Sequence, residues 1–166
     1  MLDGIFQNII NKYLFKKNKK LYYFYFSIFK FLTKSKFILN FKSYKFYASF
    51  NKKSLSRWML KNLEPWDKEN VEKIIFFIKK YNGSFIDCGC NFGAYSIPIA
   101  KEFKNLNIYA LDASKKAIHN LEQNIDLNKL NNINYFNIGI GDKNTEMHFN
   151  EEVNDLKNDG SFRFTQ

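Results

Sequence analysis

Two acidic residues and a pair of glycines form a pattern that could bind a nucleoside. Residues 85–93 read FIDCGCNFG, so an apolar run ends at Asp87 and a turn containing Gly89 and Gly93 follows. Glycines at such a turn let a ligand approach the backbone, and the next helix N-terminus offers free N–H groups. The next apolar run ends in Asp112, where doubly wound folds place an acid that binds ribose hydroxyls. The spacing therefore predicts a nucleoside site between these two turns.

Asn91 helps to choose between nucleoside cofactors. A dinucleotide fingerprint has glycine at this place to leave room for pyrophosphate, so Asn91 disfavours an NAD-dependent oxidoreductase. S-adenosylmethionine carries no phosphate and ends in an ammonium and a carboxylate. Asp87 suits the cationic end, and a helix N-terminus suits the carboxylate. We therefore expect S-adenosylmethionine, against the alternative in which Asp87 is a cap and the glycines only form a tight turn.

The apolar periodicity around this segment predicts strands and helices in alternation. We predict strands at residues 84–87, 108–112, 133–140 and 145–149, and helices at residues 71–80, 93–103 and 114–127. Ser114 is the expected N-cap of the last helix. Strand–helix–strand order with short links indicates a parallel sheet with right-handed crossovers. The predicted fold class is α/β, a partial doubly wound, Rossmann-like sheet.

Positive charge is concentrated in the first third of the chain. Residues 1–62 hold 14 basic residues and one acid, whereas residues 63–166 hold 12 basic and 15 acidic residues. We therefore predict a basic, aromatic N-terminal segment at 1–62 and a cofactor-binding domain at 63–166. Within the first part, residues 2–15 and 21–32 read as helices and residues 37–50 as strands. The run 21–32 either packs on the domain or contacts an anionic membrane surface.

The identity of the basic residues bears on the partner. All but two of the 26 are lysines, and AT-rich codons are frequent throughout, whereas phosphate readers favour the arginine fork. We therefore expect no nucleic-acid partner. Cys88 and Cys90 are too few for a disulfide framework or a zinc site, so we expect no metal and a reduced, cytoplasmic location, with membrane association as the alternative.

Residues 85–149 resemble the FkbM family of S-adenosylmethionine-dependent methyltransferases. The family pattern D-x-G-x-N-x-G-x-x-S is matched from Asp87 to Ser96, and its helix pattern L-x-x-N-x-x-L-N is matched from Leu121 to Asn128. Asp112 stands where the family has Glu, although Ala113 replaces the proline that follows. The resemblance implies a class I methyltransferase fold over residues 60–150. The cofactor-binding residues that it implies are Glu64, Asp87, Gly89, Asn91, Gly93, Asp112 and Asp142.

The resemblance also implies an activity. Family members methylate hydroxyl groups of sugars and natural products, so the expected activity is O-methylation in surface-glycan biosynthesis, with a small molecule or glycan as the acceptor. The sequence identifies no catalytic base and no oligomeric state. The family's later K-I-D-x-E-G-like segment does not occur. An inactive, truncated remnant that binds the cofactor, a membrane or a partner is therefore the alternative.

Overall fold

The computed structural model describes residues 37–48, 55–62 and 64–146, together with the isolated positions 18, 20, 21, 24 and 28. The strand predicted at 145–149 and the helices predicted at 2–15 and 21–32 therefore lie largely outside the described residues. Within the described part of the chain, no helix is long and apolar enough to cross a bilayer.

A short antiparallel hairpin comes first. Strands β1 (Phe37–Asn40) and β2 (Lys45–Ala48) pair with Phe37 opposite Ala48 and Asn40 opposite Lys45. The Phe41 N–H closes the turn by donating to the Tyr44 carbonyl oxygen at 2.9 Å. Alternation puts Phe46 and Ala48 on the buried face, as the aromatic–polar pattern predicts.

Two helices lead from the hairpin to the larger sheet. They are α1 (Leu55–Asn62) and α2 (Lys68–Tyr81). Helix α2 buries Val71 and half-buries Ile74, Ile75 and Ile78, which share one stripe at helical spacing. It ends at Asn82, which adopts a left-handed conformation (φ 50°) and donates its N–H to the Ile78 carbonyl oxygen.

The larger sheet is parallel and has the order β3-β4-β5. Its strands and helices alternate as predicted: β3 (Phe85–Cys88), α3 (Ser96–Glu102), β4 (Ile108–Leu111), α4 (Lys115–Asn128) and β5 (Ile133–Phe136). In register, Asp87 lies beside Ala110, and Ala110 lies beside Tyr135. The predicted α/β fold is thus confirmed, and all three strands point their carboxyl ends toward the same edge.

Strand β5 is shorter than predicted. The apolar alternation continues through Ile138 and Ile140, but both side chains are exposed and the strand ends at Phe136. The side-chain amide of Asn137 donates to the carbonyl oxygens of Asp112 and Ala113, both at 2.9 Å. Strand β4 ends at Leu111, so Asn137 binds the loop that follows β4, and no strand among the described residues pairs with the chain beyond Phe136.

One hydrophobic core joins the hairpin to the parallel sheet. Leu39 and Phe46 from the hairpin belong to the same buried cluster as Ile97, Ile108 and Leu121. The Phe46 ring meets the Phe92 ring edge-on at 5.4 Å between centroids. Part of the segment 1–62 therefore packs directly on the part that begins at residue 63.

Candidate cofactor site

The carboxylate of Asp112 joins the two turns at the carboxyl edge of the sheet. Oδ2 accepts the backbone N–H of Asn91 at 2.8 Å, and Oδ1 accepts the backbone N–H of Ser114 at 2.9 Å. The N–H groups of Gly89 and Cys90 both donate to the Leu111 carbonyl oxygen next to it. Each carboxylate oxygen has a second lone pair, so Asp112 can still accept two hydroxyl groups.

Asp87 is the buried acid of the site. It is 6% exposed, and its Oδ2 accepts the Ser96 hydroxyl at 2.5 Å and the Ser96 N–H at 3.2 Å. Burial raises the pKa of the Asp87 carboxyl, the Ser96 hydrogen bonds oppose that rise, and the nearby Asp112 charge adds to it. A cationic ligand group would relieve this buried charge.

The two glycines of the turn have different surroundings. Gly89 has a φ of +81°, and a Cβ added there would meet no atom within 4 Å. Gly93 has a φ of +89°, but its Cβ would lie 2.6 Å from Leu121 Cδ1 and 3.0 Å from Ile97 Cγ1. Gly89 therefore faces open space that a ligand can fill, whereas Gly93 lets α4 pack against the turn.

Asn91 adopts an unusual backbone conformation in the turn. Its φ of 50° is left-handed, a conformation that asparagine tolerates better than most residues. The side chain is half-buried, and no residue in the described ranges forms a hydrogen bond with its amide. The turn therefore contains both an asparagine amide and, two residues earlier, the open space at Gly89.

Asp67 and Tyr95 connect α2 to this turn, and sequence reasoning missed both. The Tyr95 hydroxyl donates to Asp67 Oδ2 at 2.5 Å, and Asn70 donates to the same oxygen at 2.9 Å. These hydrogen bonds lower the pKa of the Asp67 carboxyl, that from Tyr95 most, while burial raises the pKa of Tyr95 to about 12. A signal was present in the sequence, since Asp67 immediately precedes a helix.

Asn124 and Asn128 attach the hairpin to α4. Asn124 Oδ1 accepts the Tyr47 N–H and Asn128 Oδ1 accepts the Lys45 N–H, both at 2.8 Å, and Asn128 Nδ2 donates to the Lys45 carbonyl oxygen at 2.7 Å. The Asn124 amide also donates to the carbonyl oxygen of Phe92, within the cofactor turn, at 2.9 Å. The two asparagines of the helix pattern therefore attach the hairpin to α4, and Asn124 also binds the cofactor turn.

The remaining predicted residues do not join the cluster through hydrogen bonds. Glu64 is exposed at the bend before α2, three residues from Asp67, and Asp142 is exposed in the loop after β5. Cys90 is buried, whereas Cys88 is exposed. Among the described residues, no three His, Cys, Asp or Glu side chains are grouped as a metal site.

Comparison with known proteins identifies the domain type. Residues 66–154, over half of the chain, match the model of the TRM5/TYW2 methyltransferase domain. One relative is the Methanocaldococcus jannaschii tRNA(Phe) (4-demethylwyosine(37)-C(7)) aminocarboxypropyltransferase, 39% identical over 41% of this chain and 28% of that protein. Another is ribosomal RNA small subunit methyltransferase A of Wigglesworthia glossinidia brevipalpis, 32% identical over 59% of this chain and 36% of that protein.

A solved structure is also similar. The crystal structure of M. jannaschii TYW2 in complex with AdoMet is 29% identical, with a TM-score of 0.44, over 60% of this chain and 42% of that chain. The chain thus spans less than half the length of each of these three relatives.

These findings confirm the general prediction and change its details. An S-adenosylmethionine-dependent methyltransferase-type domain is confirmed, as is the cofactor. The relatives and the matching domain model do not show the FkbM family, glycan biosynthesis or O-methylation. The expectation of a small-molecule or glycan acceptor without nucleic acid was wrong, because the named relatives modify tRNA and ribosomal RNA. Lysine-rich composition was a poor guide, since lysine also binds phosphate as a point charge.

Proposed function

The chain belongs to the TRM5/TYW2 methyltransferase-domain family, and we propose that it is an S-adenosylmethionine-dependent transferase acting on a base of folded RNA. The observation that carries this proposal is the family match over residues 66–154, which includes Asp87, the glycine turn and Asp112. The RNA substrate is supported by the names of the tRNA- and ribosomal-RNA-modifying relatives.

We assign the cofactor contacts from the local geometry. Asp112 would accept the ribose hydroxyls through the lone pairs that the Asn91 and Ser114 N–H groups leave free. Buried Asp87 would balance the ammonium of the amino-acid end, and the Asn91 amide would bind the same ligand across the space at Gly89. Gly93 acts indirectly, by letting α4 approach. Glu64 and Asp142 stay in the proposed site as exposed carboxylates.

The transferred group is a methyl or an aminocarboxypropyl group. Bound S-adenosylmethionine supplies a sulfonium whose attached carbons are electrophilic, and attack on either group releases a different thioether. Methyl transfer follows the family's name, and aminocarboxypropyl transfer follows the name of the 39% identical relative. The chain's own residues orient the ligand in either case. Orientation of the reactants can lower the activation barrier by up to about 7–11 kcal/mol.

Calorimetry with S-adenosylmethionine tests the cofactor site. We expect Asp112→Ala to weaken binding by roughly 1–3 kcal/mol, because ribose hydroxyls lose their acceptor. The matched control is Asp126→Asn, which removes an exposed acid near the C-terminal end of α4. We expect its affinity for S-adenosylmethionine to be unchanged. Absence of binding to the wild-type chain would contradict the proposed function.

Transfer assays on transcribed tRNA and ribosomal RNA then test the substrate. Cofactor labelled in the methyl group and cofactor labelled in the carboxyl group are compared in parallel. Label in RNA from the first alone shows methyl transfer, and label from the second alone shows aminocarboxypropyl transfer. Label transferred to a glycan extract and not to RNA would contradict the RNA proposal.

A further inference from the structure

A second concave site lies at the other end of α4 from the cofactor turn. It is a cleft of about 280 Å³ between the hairpin turn and the C-terminal ends of α3 and α4. Helix α4 has 14 residues, so its length places the cleft about 21 Å from Ser114, where the cofactor site begins. A ligand that occupies both sites must therefore be large.

The cleft is basic, and both the hairpin and the helices of the larger sheet contribute its lysines. Four of its lining residues are lysines, namely Lys42, Lys45, Lys101 and Lys129, and none is acidic. Residues 63–166 as a whole contain more acids than bases. Burial raises the pKa of Tyr44 to about 12, and the charge of Glu72 adds to that rise. The Tyr44 hydroxyl therefore stays protonated and can donate.

Hydrogen bonds fix the walls of this cleft. Asn128 binds both the N–H and the carbonyl oxygen of Lys45, which anchors the hairpin on α4. Lys101 Nζ donates to the Asn128 carbonyl oxygen at 2.6 Å, where it offsets the negative end of the helix dipole. Lys42 and Lys129 are exposed at the rim, so their ammonium groups can meet an anion.

We propose that this lysine cleft binds phosphate groups of the RNA backbone, away from the base that is modified. The inference rests on the proposed function, because it takes folded RNA as the substrate. A basic cleft about 21 Å from the cofactor site favours an RNA with tertiary or helical extent, because a nucleotide or short oligomer cannot reach both places. Lysine contacts to phosphate carry no sequence information, so the cleft contributes affinity and orientation.

Fluorescence anisotropy with labelled tRNA transcript, measured on the full chain at several salt concentrations, tests the proposal. The test variant combines Lys42→Gln with Lys129→Asn, since asparagine tolerates the left-handed φ of 53° at position 129. The control variant combines Lys73→Gln with Lys80→Gln, two exposed lysines on α2. S-adenosylmethionine affinity is measured for each protein.

We expect the test variant to bind RNA about tenfold more weakly than wild type, with a salt slope smaller by about 2. The control should match wild type, and all three should bind S-adenosylmethionine equally. Equal RNA affinity and salt slope in test and wild-type proteins would overturn the cleft proposal alone. Failure of wild-type protein to bind any RNA would overturn the RNA substrate, and the cleft proposal with it.

Discussion

The side-chain amide of Asn124 donates to the carbonyl oxygen of Phe92 at 2.9 Å, across 32 positions of sequence. The same side chain accepts the N–H of Tyr47 from the hairpin at 2.8 Å. Asn124 is 1% exposed, its hydrogen bond to Phe92 is buried, and its hydrogen bond from Tyr47 is partly buried. One buried amide thus holds the cofactor turn and the hairpin in a fixed relation.

Replacing Asn124 should therefore affect both stability and cofactor binding. Asn124→Ala leaves the Tyr47 N–H and the Phe92 carbonyl oxygen without this partner, and we expect a loss of about 2–4 kcal/mol in the free energy of unfolding. The cofactor turn also loses its anchor, so S-adenosylmethionine affinity should fall. Urea unfolding and calorimetry measure the two effects.

Asn128→Ala is the matched control for that change. It removes hydrogen bonds to Lys45 of the hairpin but none to the turn. We expect a comparable loss of stability and, at a temperature where the protein stays folded, unchanged cofactor affinity. Equal affinity in the two variants would show that the Phe92 contact does not position the turn.

The two glycines of the turn should respond differently to alanine. Gly93→Ala adds a Cβ 2.6 Å from Leu121 Cδ1 at a positive φ, so we expect a loss of roughly 2–5 kcal/mol from strain and overpacking. Gly89→Ala meets only the conformational cost of about 1–2 kcal/mol. It places a methyl group in the proposed ligand space. We therefore expect the loss in free energy of S-adenosylmethionine binding to exceed the loss in free energy of unfolding. Equal destabilisation of both variants would contradict this assignment.

Asp87→Asn should separate binding from stability. Because burial raises the pKa of the Asp87 carboxyl, the folded state favours its neutral form, and ionisation of Asp87 destabilises the fold. Asparagine can still accept from Ser96 and carries no charge. We expect an equal or higher melting temperature at pH 7 together with weaker S-adenosylmethionine binding.

The pH dependence of that difference gives a second test. Below the ordinary carboxyl pKa of 3.8, both proteins are neutral at position 87 and the stability difference is smallest. As the pH rises through the raised pKa of folded Asp87, wild-type stability should fall relative to the variant, and the difference should then level off. A difference that grows as the pH falls would have the wrong sign.

Tyr95→Phe tests the link between α2 and the turn. It removes the hydroxyl that donates to Asp67 Oδ2 while Asn70 still donates to that oxygen. Since Asp67 keeps one partner and is only half-buried, we expect a loss of about 1 kcal/mol. The pKa of Asp67 should rise toward its ordinary value, which a carboxyl NMR titration would detect. An unchanged titration would remove Tyr95 as the cause of the shift.

Local patterns predicted much of the cofactor half of the fold. Asp87 with its following glycine turn and the acid after β4 lie at one sheet edge because successive strands joined by a short helical crossover pair in parallel, with their carboxyl ends together. Ser114 caps α4 as predicted, with its hydroxyl accepting the Ala117 N–H at 3.1 Å. The strands predicted within residues 37–50 are present as β1 and β2, although their pairing as a hairpin was not predicted.

Long-range partners were not predictable in the same way. The helix pattern from Leu121 to Asn128 singled out Asn124 and Asn128, but their hydrogen-bond partners lie 77 and 83 residues away in the hairpin. Strand β5 ends where the Asn137 amide binds two carbonyl groups beyond the end of β4, a contact that apolar periodicity does not indicate. Such contacts form only after the elements have packed.

The hydrogen bonds that attach the hairpin to α4 use the hairpin's main chain, whereas its buried side chains contribute packing. Asn124 and Asn128 contact N–H and carbonyl groups of Tyr47 and Lys45, which every residue except proline supplies in full. In a saturation library, positions 45 and 47 should therefore keep the hairpin attached with almost any amino acid. Positions 124 and 128 should accept asparagine alone. Homologous hairpins could therefore differ in sequence at these positions and still attach in the same way, because the asparagines of α4 supply the side chains of these hydrogen bonds.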